Sequence, residues 1–288
     1  MPGKRLKPKK AVNPSADAKR PIVVVGVGHM GGAIARGLVA AGWGPRLILI
    51  DPAIKSTDAR AFTKSGAAVE ADAAAMDGLT PEAIVLAVKP QLMRTVAPAY
   101  AAAARKALII SIAAGTPIES LNLWLGEPRA IIRAMPNLPA SIGKGISAAY
   151  ATPGTTAAQR KLAGTLLAAI GDVVWLDGEE LLNAVTAVSG SGPAYVFLLV
   201  EALAAAAERQ GLSADIAKRL ARKTIEGAGA LLAVTPMDPA TLRQSVTSPG
   251  GTTEAALKVL MGEGRLEALL KEAVDAATAR GFELAKTR

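Results

Sequence analysis

The sequence predicts an α/β domain followed by an all-helical domain. Over residues 21–177, eight short apolar runs are typical of β-strands, and segments with helical periodicity separate most of them. From Glu179 onward the β-like runs stop and the pattern becomes almost continuously helical. We therefore expect a first domain over residues 21–177 and a second over 178–288. Residues 1–20, rich in lysine and proline, predict a disordered basic tail.

The first predicted strand leads into a glycine-rich turn. The apolar run 22–25 is followed by residues 26–32, Gly-Val-Gly-His-Met-Gly-Gly, and then by an alanine-rich helical segment. Gly26, Gly28 and Gly31 fit the pattern G-x-G-x-x-G. Its first glycine permits a tight turn, its second lets the backbone approach a pyrophosphate, and its third lets the helix pack against the strand. The pattern predicts a Rossmann-type dinucleotide-binding domain.

The second apolar run supports this interpretation. Residues 47–50 end at Asp51, 25 residues after the first glycine, where an acidic side chain can accept hydrogen bonds from the adenosine ribose. A glycine pattern alone also occurs in strand-to-helix turns that bind nothing, and this chain has 28 glycines. The position of the acidic residue favours the nucleotide-binding interpretation.

Later apolar runs predict the rest of the sheet. The run 83–88 stops at Lys89, because Pro90 cannot donate to a strand ladder. A lysine at the carboxyl end of such a strand faces the ligand crevice, where it could meet a phosphate, a carboxylate or substrate, although a solvated lysine is the plainer alternative. We also expect a short helix and strand over 62–69, strands over 108–112, 129–134, 146–151 and 173–176, and a helix over 157–170.

Two connections have distinct sequence features. The small residues 113–115, Ala-Ala-Gly, leave room for a flat ring close to the backbone. Thr116 and Pro117 fit the N-cap and first turn of a following helix. Residues 135–139 contain two prolines, which predict that this stretch has no regular structure.

The sequence of the second domain predicts helices rich in small residues. We expect helices over 181–189, 194–210, 213–234 and 254–261, with a break at residues 190–193, Gly-Ser-Gly-Pro. Such helices pack closely but bury little apolar area per residue, so we expect at least a homodimer. The most apolar segment, 194–207, is shorter than the roughly 20 residues that span a bilayer and carries Glu201, so we expect no membrane crossing.

Composition excludes several classes of chemistry. The chain has no cysteine, which excludes disulfides, thiolate nucleophiles and zinc-thiolate sites and is compatible with a reducing cytoplasm, where we expect the protein. Its single histidine, His29, lies in the glycine-rich turn, so no Ser-His-Asp triad and no His-x-x-x-His metal pair are available. We expect no metal site.

The net charge of +9 is concentrated at the amino terminus. Residues 1–20 hold seven lysines and arginines and one aspartate, which account for +6 of it. This tail has no apolar core of a signal peptide. Nonspecific attraction of polyanions is one interpretation, and a solvated extension is the one we favour, so we expect no specific nucleic-acid partner.

A second glycine motif lies in the helical half. Residues 248–253, Ser-Pro-Gly-Gly-Thr-Thr, precede a predicted helix. Adjacent glycines after a proline allow several N–H groups to converge at a helix start, where the helix dipole favours an anion. This predicts a nest for a carboxylate. A glycine-proline turn capped by threonine is an equally good explanation from the residues alone.

These motifs together resemble the pyrroline-5-carboxylate reductases, the enzymes of the last step of proline biosynthesis. The resemblance spans about residues 21–280 and is most specific in the last two of its stretches. The stretches are residues 26–32, 87–91, 111–115, 133–140, 189–195 and 246–253. It implies that the first domain binds a nicotinamide cofactor and that the helical domain dimerises, with further assembly into a ring of dimers in many members.

The resemblance also implies site residues. Together with the motifs above, it predicts cofactor contacts by Val25, Gly26, Val27, Gly28, His29, Met30, Gly31, Asp51, Ala87, Val88, Lys89, Pro90, Ala113 and Ala114. The predicted substrate contacts, partly across a dimer interface, are Ser248, Gly250, Gly251, Thr252, Thr253, Lys89, Ser189 and Ser191. His29 departs from the family pattern, which commonly has asparagine there.

The reaction that the resemblance implies is hydride transfer from NADPH or NADH to the C=N carbon of 1-pyrroline-5-carboxylate, giving L-proline. Imine reduction needs no base to remove an alcohol proton, so it suits a chain without a catalytic histidine. We expect Thr253 to hydrogen-bond the ring nitrogen and to be the catalytic residue. We expect Ser248 and the amides of Gly250 and Gly251 to hold the carboxylate.

Two other functions fit parts of the sequence. A β-hydroxyacid dehydrogenase shares the glycine turn and a helical second domain, but it requires a lysine base where this chain has residues 189–193, Ser-Gly-Ser-Gly-Pro. A non-catalytic nicotinamide sensor would have no need of a carboxylate nest. For the cofactor, Asp51 favours NADH by repelling a 2′-phosphate, whereas Lys55 and Ser56 could accept one, and the resemblance leads us to expect NADPH slightly over NADH.

Overall fold

The computed structural model describes residues 20–286, in two compact units. The first unit runs to Gly190 and includes the chain again from Arg280, and the second is Ser191–Ala279. The predicted basic tail, residues 1–20, lies almost entirely outside the described residues.

The first unit contains an eight-stranded sheet, as the apolar runs predict. Its strands are β1 (Ile22–Val25), β2 (Leu47–Ile50), β3 (Ala68–Glu70), β4 (Ala83–Leu86), β5 (Leu108–Ser111), β6 (Ile131–Met135), β7 (Gly145–Ala151) and β8 (Gly171–Trp175). They lie in the order β3-β2-β1-β4-β5-β6-β7-β8, and every neighbouring pair is parallel except β6 with β7. The carboxyl ends of β1, β2, β3 and β4 therefore share one edge.

Helices cover both faces of this sheet. They are α1 (His29–Ala40), α2 (Ser56–Lys64), α3 (Pro90–Val96), α4 (Ala101–Ala104), α5 (Ile118–Leu125), α6 (Ala157–Ala168) and α7 (Leu181–Val185). Side chains from α1 and α6 pack on one face, and side chains from α3 and α5 pack on the other. Because both faces are covered, β1 is apolar at every position and its alternate residues enter opposite cores.

The second unit is helical. It holds α8 (Gly192–Arg209), α9 (Ala214–Val234), α10 (Pro239–Ser245), α11 (Thr252–Met261) and most of α12 (Arg265–Lys286). Helices α8 and α9 pack against each other through alanines, and the buried residues described in this unit are Ala204, Ala217 and Ala221. Large apolar side chains such as Leu198 and Val234 remain exposed on the single chain.

The division between units does not coincide with the change in sequence pattern at Glu179. Helix α7 lies in the first unit because it packs on β6 and β7. Residues 178–190 therefore make their contacts with the α/β unit despite their helical pattern. The domain bounds 21–177 and 178–288 remain a prediction.

Two stretches predicted to be irregular are partly helical, although Pro136, Asn137 and Ser191 lie outside any helix or strand. Within residues 135–139, Met135 ends β6 and a short 3-10 helix, Leu138–Ile142, follows, with Pro139 in its first turn. A proline is tolerated there because its missing N–H would have no helical partner. In place of the predicted break at residues 190–193, a π-helical turn, Thr186–Gly190, precedes α8, which begins with Pro193 in its first turn.

The most apolar helical segment is longer than the sequence predicts, so the expectation that it is too short to cross a membrane was wrong. Because the expected break is a π-helical turn, the helical stretch Leu181–Arg209 has 29 residues and a mean hydropathy of 1.4 in its most apolar window. That is long and apolar enough to span a bilayer. Only 6% of this window is buried within the chain. An exposed apolar surface of this kind is also expected of a helix that packs against a second subunit.

Candidate active site

The glycine-rich turn between β1 and α1 has the geometry that its sequence predicts. Gly26 adopts φ +87° and donates its N–H to Ile50 O at 2.8 Å, which ties the turn to β2. A Cβ on Gly31 would lie 1.9 Å from Gly26 O, so α1 can approach the turn only if residue 31 is glycine. A Cβ on Gly28 would meet nothing within 4 Å. The backbone is therefore open at Gly28, where a pyrophosphate would approach.

Asp51 lies at the end of β2 and holds the glycine-rich turn in place. Its Oδ2 accepts a hydrogen bond from Val27 N at 2.6 Å, and its Oδ1 accepts one from Ala53 N at 2.8 Å. The carboxylate is thus fixed by two backbone donors. Its remaining lone pairs can still accept hydroxyl hydrogen bonds from a ribose.

A cavity of about 530 Å³ opens beside this turn, at the carboxyl ends of β1, β2 and β4. Half of the predicted cofactor residues line it: Val25, Gly26, Gly28, Asp51, Ala87, Val88 and Lys89. This is the position that a dinucleotide occupies in an open α/β sheet. The cavity fits the adenosine and pyrophosphate part of the predicted cofactor.

The other predicted cofactor residues lie outside this cavity. Val27 belongs to the glycine-rich turn, and His29, Met30 and Gly31 form the first turn of α1, with His29 exposed and Gly31 buried. Pro90 is the first residue of α3, and Ala113 and Ala114 follow β5. Their roles stay predictions. Within residues 20–286, no group of three or more acidic or histidine side chains is placed to hold a metal.

Several lining residues were not predicted from the sequence. Tyr100 is buried at the cavity wall, and the exposed Asp72, two residues after β3, also lines the cavity. Burial, together with the nearby charge of Asp72, raises the pKa of Tyr100 to about 12 from 10.0. Asp72 could have been found, because it follows a predicted strand as Asp51 does. Tyr100 carries no such local signal, since it precedes an alanine run and only the tertiary fold brings it to the site.

We expect stability at high pH to fall because of Tyr100. Below pH 10 the phenol is protonated in both folded and unfolded chains, and between pH 10 and its folded pKa of about 12 only the unfolded chain loses the proton. The free energy of unfolding should then decrease by up to about 1.4 kcal/mol per pH unit. Urea titrations of the wild type and of Tyr100→Phe across this range test it, since the variant should lack this decrease.

An ion pair fixes the start of α5, which follows the predicted nicotinamide contacts at Ala113 and Ala114. Glu179 Oε1 accepts from Ile118 N at 2.8 Å and from Arg133 Nη1 at 2.5 Å. The sequence predicts Thr116 as the N-cap, and this was wrong. Pro117 occupies the cap position, Thr116 is buried, and its Oγ1 has no hydrogen-bond partner among the described residues. The Glu179 carboxylate takes the place of an N-cap side chain by accepting from Ile118 N. The same carboxylate balances the charge of the buried Arg133 guanidinium.

Replacing Glu179 with glutamine should lower the free energy of unfolding by about 2 kcal/mol, because the largely buried Arg133 loses its ionic partner while Ile118 N can keep an acceptor. Glu180→Gln is the matched control: it removes the same charge one residue later, where the side chain has no ion pair in the described structure. Urea unfolding at one protein concentration measures both. Equal losses in the two variants would contradict the role given to Glu179.

The second glycine motif forms a tight turn at the start of α11. Residues 248–251 make a β-turn closed by Gly251 N to Ser248 O at 3.0 Å, with Gly250 at φ +71°, the geometry of a type II turn. Gly250 N donates to Glu254 Oε2 at 2.6 Å, and Glu254 Oε1 lies 3.2 Å from Lys258 Nζ. Both glycine amides that the sequence assigns to a carboxylate thus have partners within the chain.

The start of α11 nevertheless offers anion-binding groups. Helix α11 begins at Thr252, so the backbone N–H groups of Thr252 and Thr253 belong to its first turn, where helices leave donors without intrahelical partners. The Ser248 hydroxyl lies close over Gly251, because a Cβ there would be 2.6 Å from Ser248 Oγ. The Ser248 hydroxyl and the first backbone N–H groups of α11 therefore lie together at this turn.

The remaining predicted substrate residues lie at separate places in the chain, two beside the boundary between the units and one at the start of α3. Ser189 is part of the π-helical turn and donates its hydroxyl to Val185 O at 3.2 Å. Ser191 immediately precedes α8, and Lys89 is exposed at the N-cap position of α3. These positions leave their predicted roles as predictions.

Comparison with known proteins identifies both halves of the chain. Residues 179–284 match the family described as pyrroline-5-carboxylate reductase dimerisation, and residues 21–115 match NADP oxidoreductase coenzyme F420-dependent. A pyrroline-5-carboxylate reductase of Pseudomonas aeruginosa is 44% identical over 267 residues, which cover 92% of this chain and 97% of that protein. The chain belongs to the pyrroline-5-carboxylate reductase family.

Solved structures agree with this membership of the pyrroline-5-carboxylate reductase family. The reductase of Coxiella burnetii is 36% identical with a TM-score of 0.85, covering 93% of this chain and 99% of that one. The pyrroline carboxylate reductase of Plasmodium falciparum with NADP bound is 26% identical with a TM-score of 0.77 over the same shares. The resemblance inferred from the motifs is confirmed, as is the Rossmann-type fold with a helical dimerisation domain.

Proposed function

We propose that this protein reduces 1-pyrroline-5-carboxylate to L-proline with NAD(P)H, the last step of proline biosynthesis. Family membership over 92% of the chain carries this proposal. The open backbone at Gly28 and the donors at the start of α11 support it, because they suit a pyrophosphate and a carboxylate. The alternatives of a β-hydroxyacid dehydrogenase and a non-catalytic sensor have no comparable support.

The first unit would hold the cofactor. The turn residues Gly26, Gly28 and Gly31 admit the pyrophosphate, Asp51 accepts from the adenosine ribose, and Ala113 and Ala114 leave space for the nicotinamide ring. The bound cofactor supplies a hydride. The chain's own contribution is to orient it and to exclude water from its reactive face.

The second unit would hold the substrate. Ser248 Oγ and the first N–H groups of α11 receive the carboxylate, while Gly250 and Gly251 shape the turn that presents them. This revises the sequence prediction, in which the two glycine amides themselves hold the carboxylate. The ring nitrogen takes a proton from solvent, so that this proton and the hydride together convert C=N to CH–NH. Thr253 hydrogen-bonds the ring nitrogen and keeps the C=N carbon oriented. Catalysis is then mainly positioning, which requires no histidine.

The assembly we propose is a homodimer formed through the helical unit. The family match over residues 179–284 is to a dimerisation domain, and large apolar side chains of α8, α9 and α12 are exposed on the single chain. Burying this surface in a second copy explains its composition better than a bilayer does, because charged residues such as Glu201 lie within it. We extend this to a ring of dimers, a cytoplasmic location, and no specific nucleic-acid or membrane partner.

Loss of nicotinamide absorbance on addition of 1-pyrroline-5-carboxylate, with formation of proline detected by chromatography, tests the activity. We expect both signals to depend on protein and substrate. Cofactor oxidation without proline, or neither signal from a folded dimer, would overturn the proposal.

A further inference from the structure

The cavity beside the glycine-rich turn is electrostatically asymmetric. Asp51 follows β2 and Asp72 follows β3, and the strand order places both on the same side of β1. Lys89 follows β4 on the other side of β1 and is the basic residue among those that line the cavity. The side occupied by adenosine in this fold therefore has two carboxylates and no lining cation.

The Asp51 carboxylate cannot rotate away from a ligand without breaking its hydrogen bonds to the backbone. Its two oxygens accept separate backbone hydrogen bonds, from Val27 N at 2.6 Å and Ala53 N at 2.8 Å. Rotation of the side chain would free both donors and release the glycine-rich turn. In its fixed position the carboxylate can accept from a ribose 2′-hydroxyl, but it repels a 2′-phosphate.

The surrounding residues offer a 2′-phosphate little compensation. Asp72 is held by a hydrogen bond from Ala74 N at 2.9 Å, so its charge stays at the rim. Lys55 and Ser56, at the start of α2, are exposed and do not line the cavity. Asp58 occupies the first turn of α2, where it opposes anion binding at that helix start.

We propose that this protein discriminates against the 2′-phosphate and uses NADH in preference to NADPH, with Asp51 as the specificity-determining residue. This runs opposite to the slight preference for NADPH that the family resemblance suggests. The use of NADH in the reaction rests on the proposed function. The preference in cofactor binding does not depend on which substrate is reduced. The relative with NADP bound is 26% identical, so its ligand does not fix the preference of this cavity.

Calorimetric titration of the full-length protein with ADP-ribose and with 2′-phospho-ADP-ribose tests the preference without any reaction. We expect ADP-ribose to bind at least about tenfold more tightly, because the extra phosphate meets two fixed carboxylates. Equal or tighter binding of the 2′-phosphorylated ligand would overturn the proposal. Failure to reduce 1-pyrroline-5-carboxylate, with the binding preference intact, would instead overturn the proposed function alone.

Two variants locate the discrimination. Asp51→Asn removes the charge and should lower the binding ratio by about tenfold, and Asp72→Asn, which keeps an acceptor for Ala74 N, should lower it by about threefold. Asp77→Asn is the control, because Asp77 is exposed and does not line the cavity. If Asp51→Asn binds neither ligand because the glycine-rich turn collapses, Asp72→Asn still tests the proposal.

An Asp72→Asn variant with the wild-type ratio of the two affinities would then contradict the proposal. Equal changes of that ratio in Asp72→Asn and Asp77→Asn would contradict it as well. The ratio of kcat/KM for NADH and NADPH should follow the binding ratio.

Discussion

Replacing Gly31 with alanine should destabilise the fold by about 3 kcal/mol and weaken cofactor binding by about a hundredfold. The added Cβ would lie 1.9 Å from Gly26 O and 2.9 Å from Ala87 Cβ, so α1 or the glycine-rich turn must move. A displacement of this size at a binding turn costs about two orders of magnitude in function. Urea unfolding and titration with ADP-ribose measure the two effects.

Gly28→Ala is the matched control, because its Cβ would have no neighbour within 4 Å. Its unfolding free energy should stay within about 1 kcal/mol of the wild type. Its affinity should still fall by about tenfold, since the methyl group occupies the open face where the pyrophosphate would approach. Wild-type affinity in Gly28→Ala would contradict the placement of the cofactor, and wild-type stability in Gly31→Ala would contradict the packing of α1.

Replacing Thr253 with alanine should lower kcat/KM for 1-pyrroline-5-carboxylate by about tenfold to a thousandfold. This is the scale of one positioned hydrogen bond in an active site. Cofactor affinity should not change, because Thr253 lies in α11 and the proposed cofactor residues lie in the first unit. Steady-state kinetics with the imine varied, combined with titration of ADP-ribose, separate the two effects.

Thr165→Ala provides the comparison for Thr253→Ala. The Thr165 hydroxyl donates to Lys161 O within α6 and takes no part in the proposed site. We expect its kcat/KM to match the wild type. If Thr253→Ala also keeps wild-type activity, Thr253 is not the residue that orients the ring, and Ser248 becomes the next candidate.

Local sequence patterns were sufficient for the nucleotide-binding part of the fold. Their contacts all lie within one β-α-β unit, so spacing along the chain reports them. They involve the residues of β1, the three glycines of the turn and the Asp51 carboxylate, which accepts from Val27 N. The predicted strand of residues 83–88 is β4, which ends at Leu86, two residues earlier than expected, and Pro90 then starts α3 for a local reason.

Contacts between distant segments could not be predicted in this way. Glu179 caps α5 and pairs with Arg133, which lies 46 residues away in the chain, and no pattern near Thr116 indicates that its cap comes from elsewhere. The π-helical turn before Pro193 was also missed, because glycine and proline together usually end a helix. Glu254 was missed although it is only four residues from Gly250, because the motif does not indicate that its side chain turns back to accept from Gly250 N and changes which donors remain for a carboxylate.

Isotope transfer follows the hydride from cofactor to substrate. In the proposed site, hydride passes from the nicotinamide to the C=N carbon of the bound imine. With NADH or NADPH deuterated on the transferring face of C4, mass spectrometry of the product should show one deuterium at C5 of proline. Proline without deuterium, using each stereoisomer of the deuterated cofactor in turn, would contradict direct transfer between the two bound molecules and with it the proposed site.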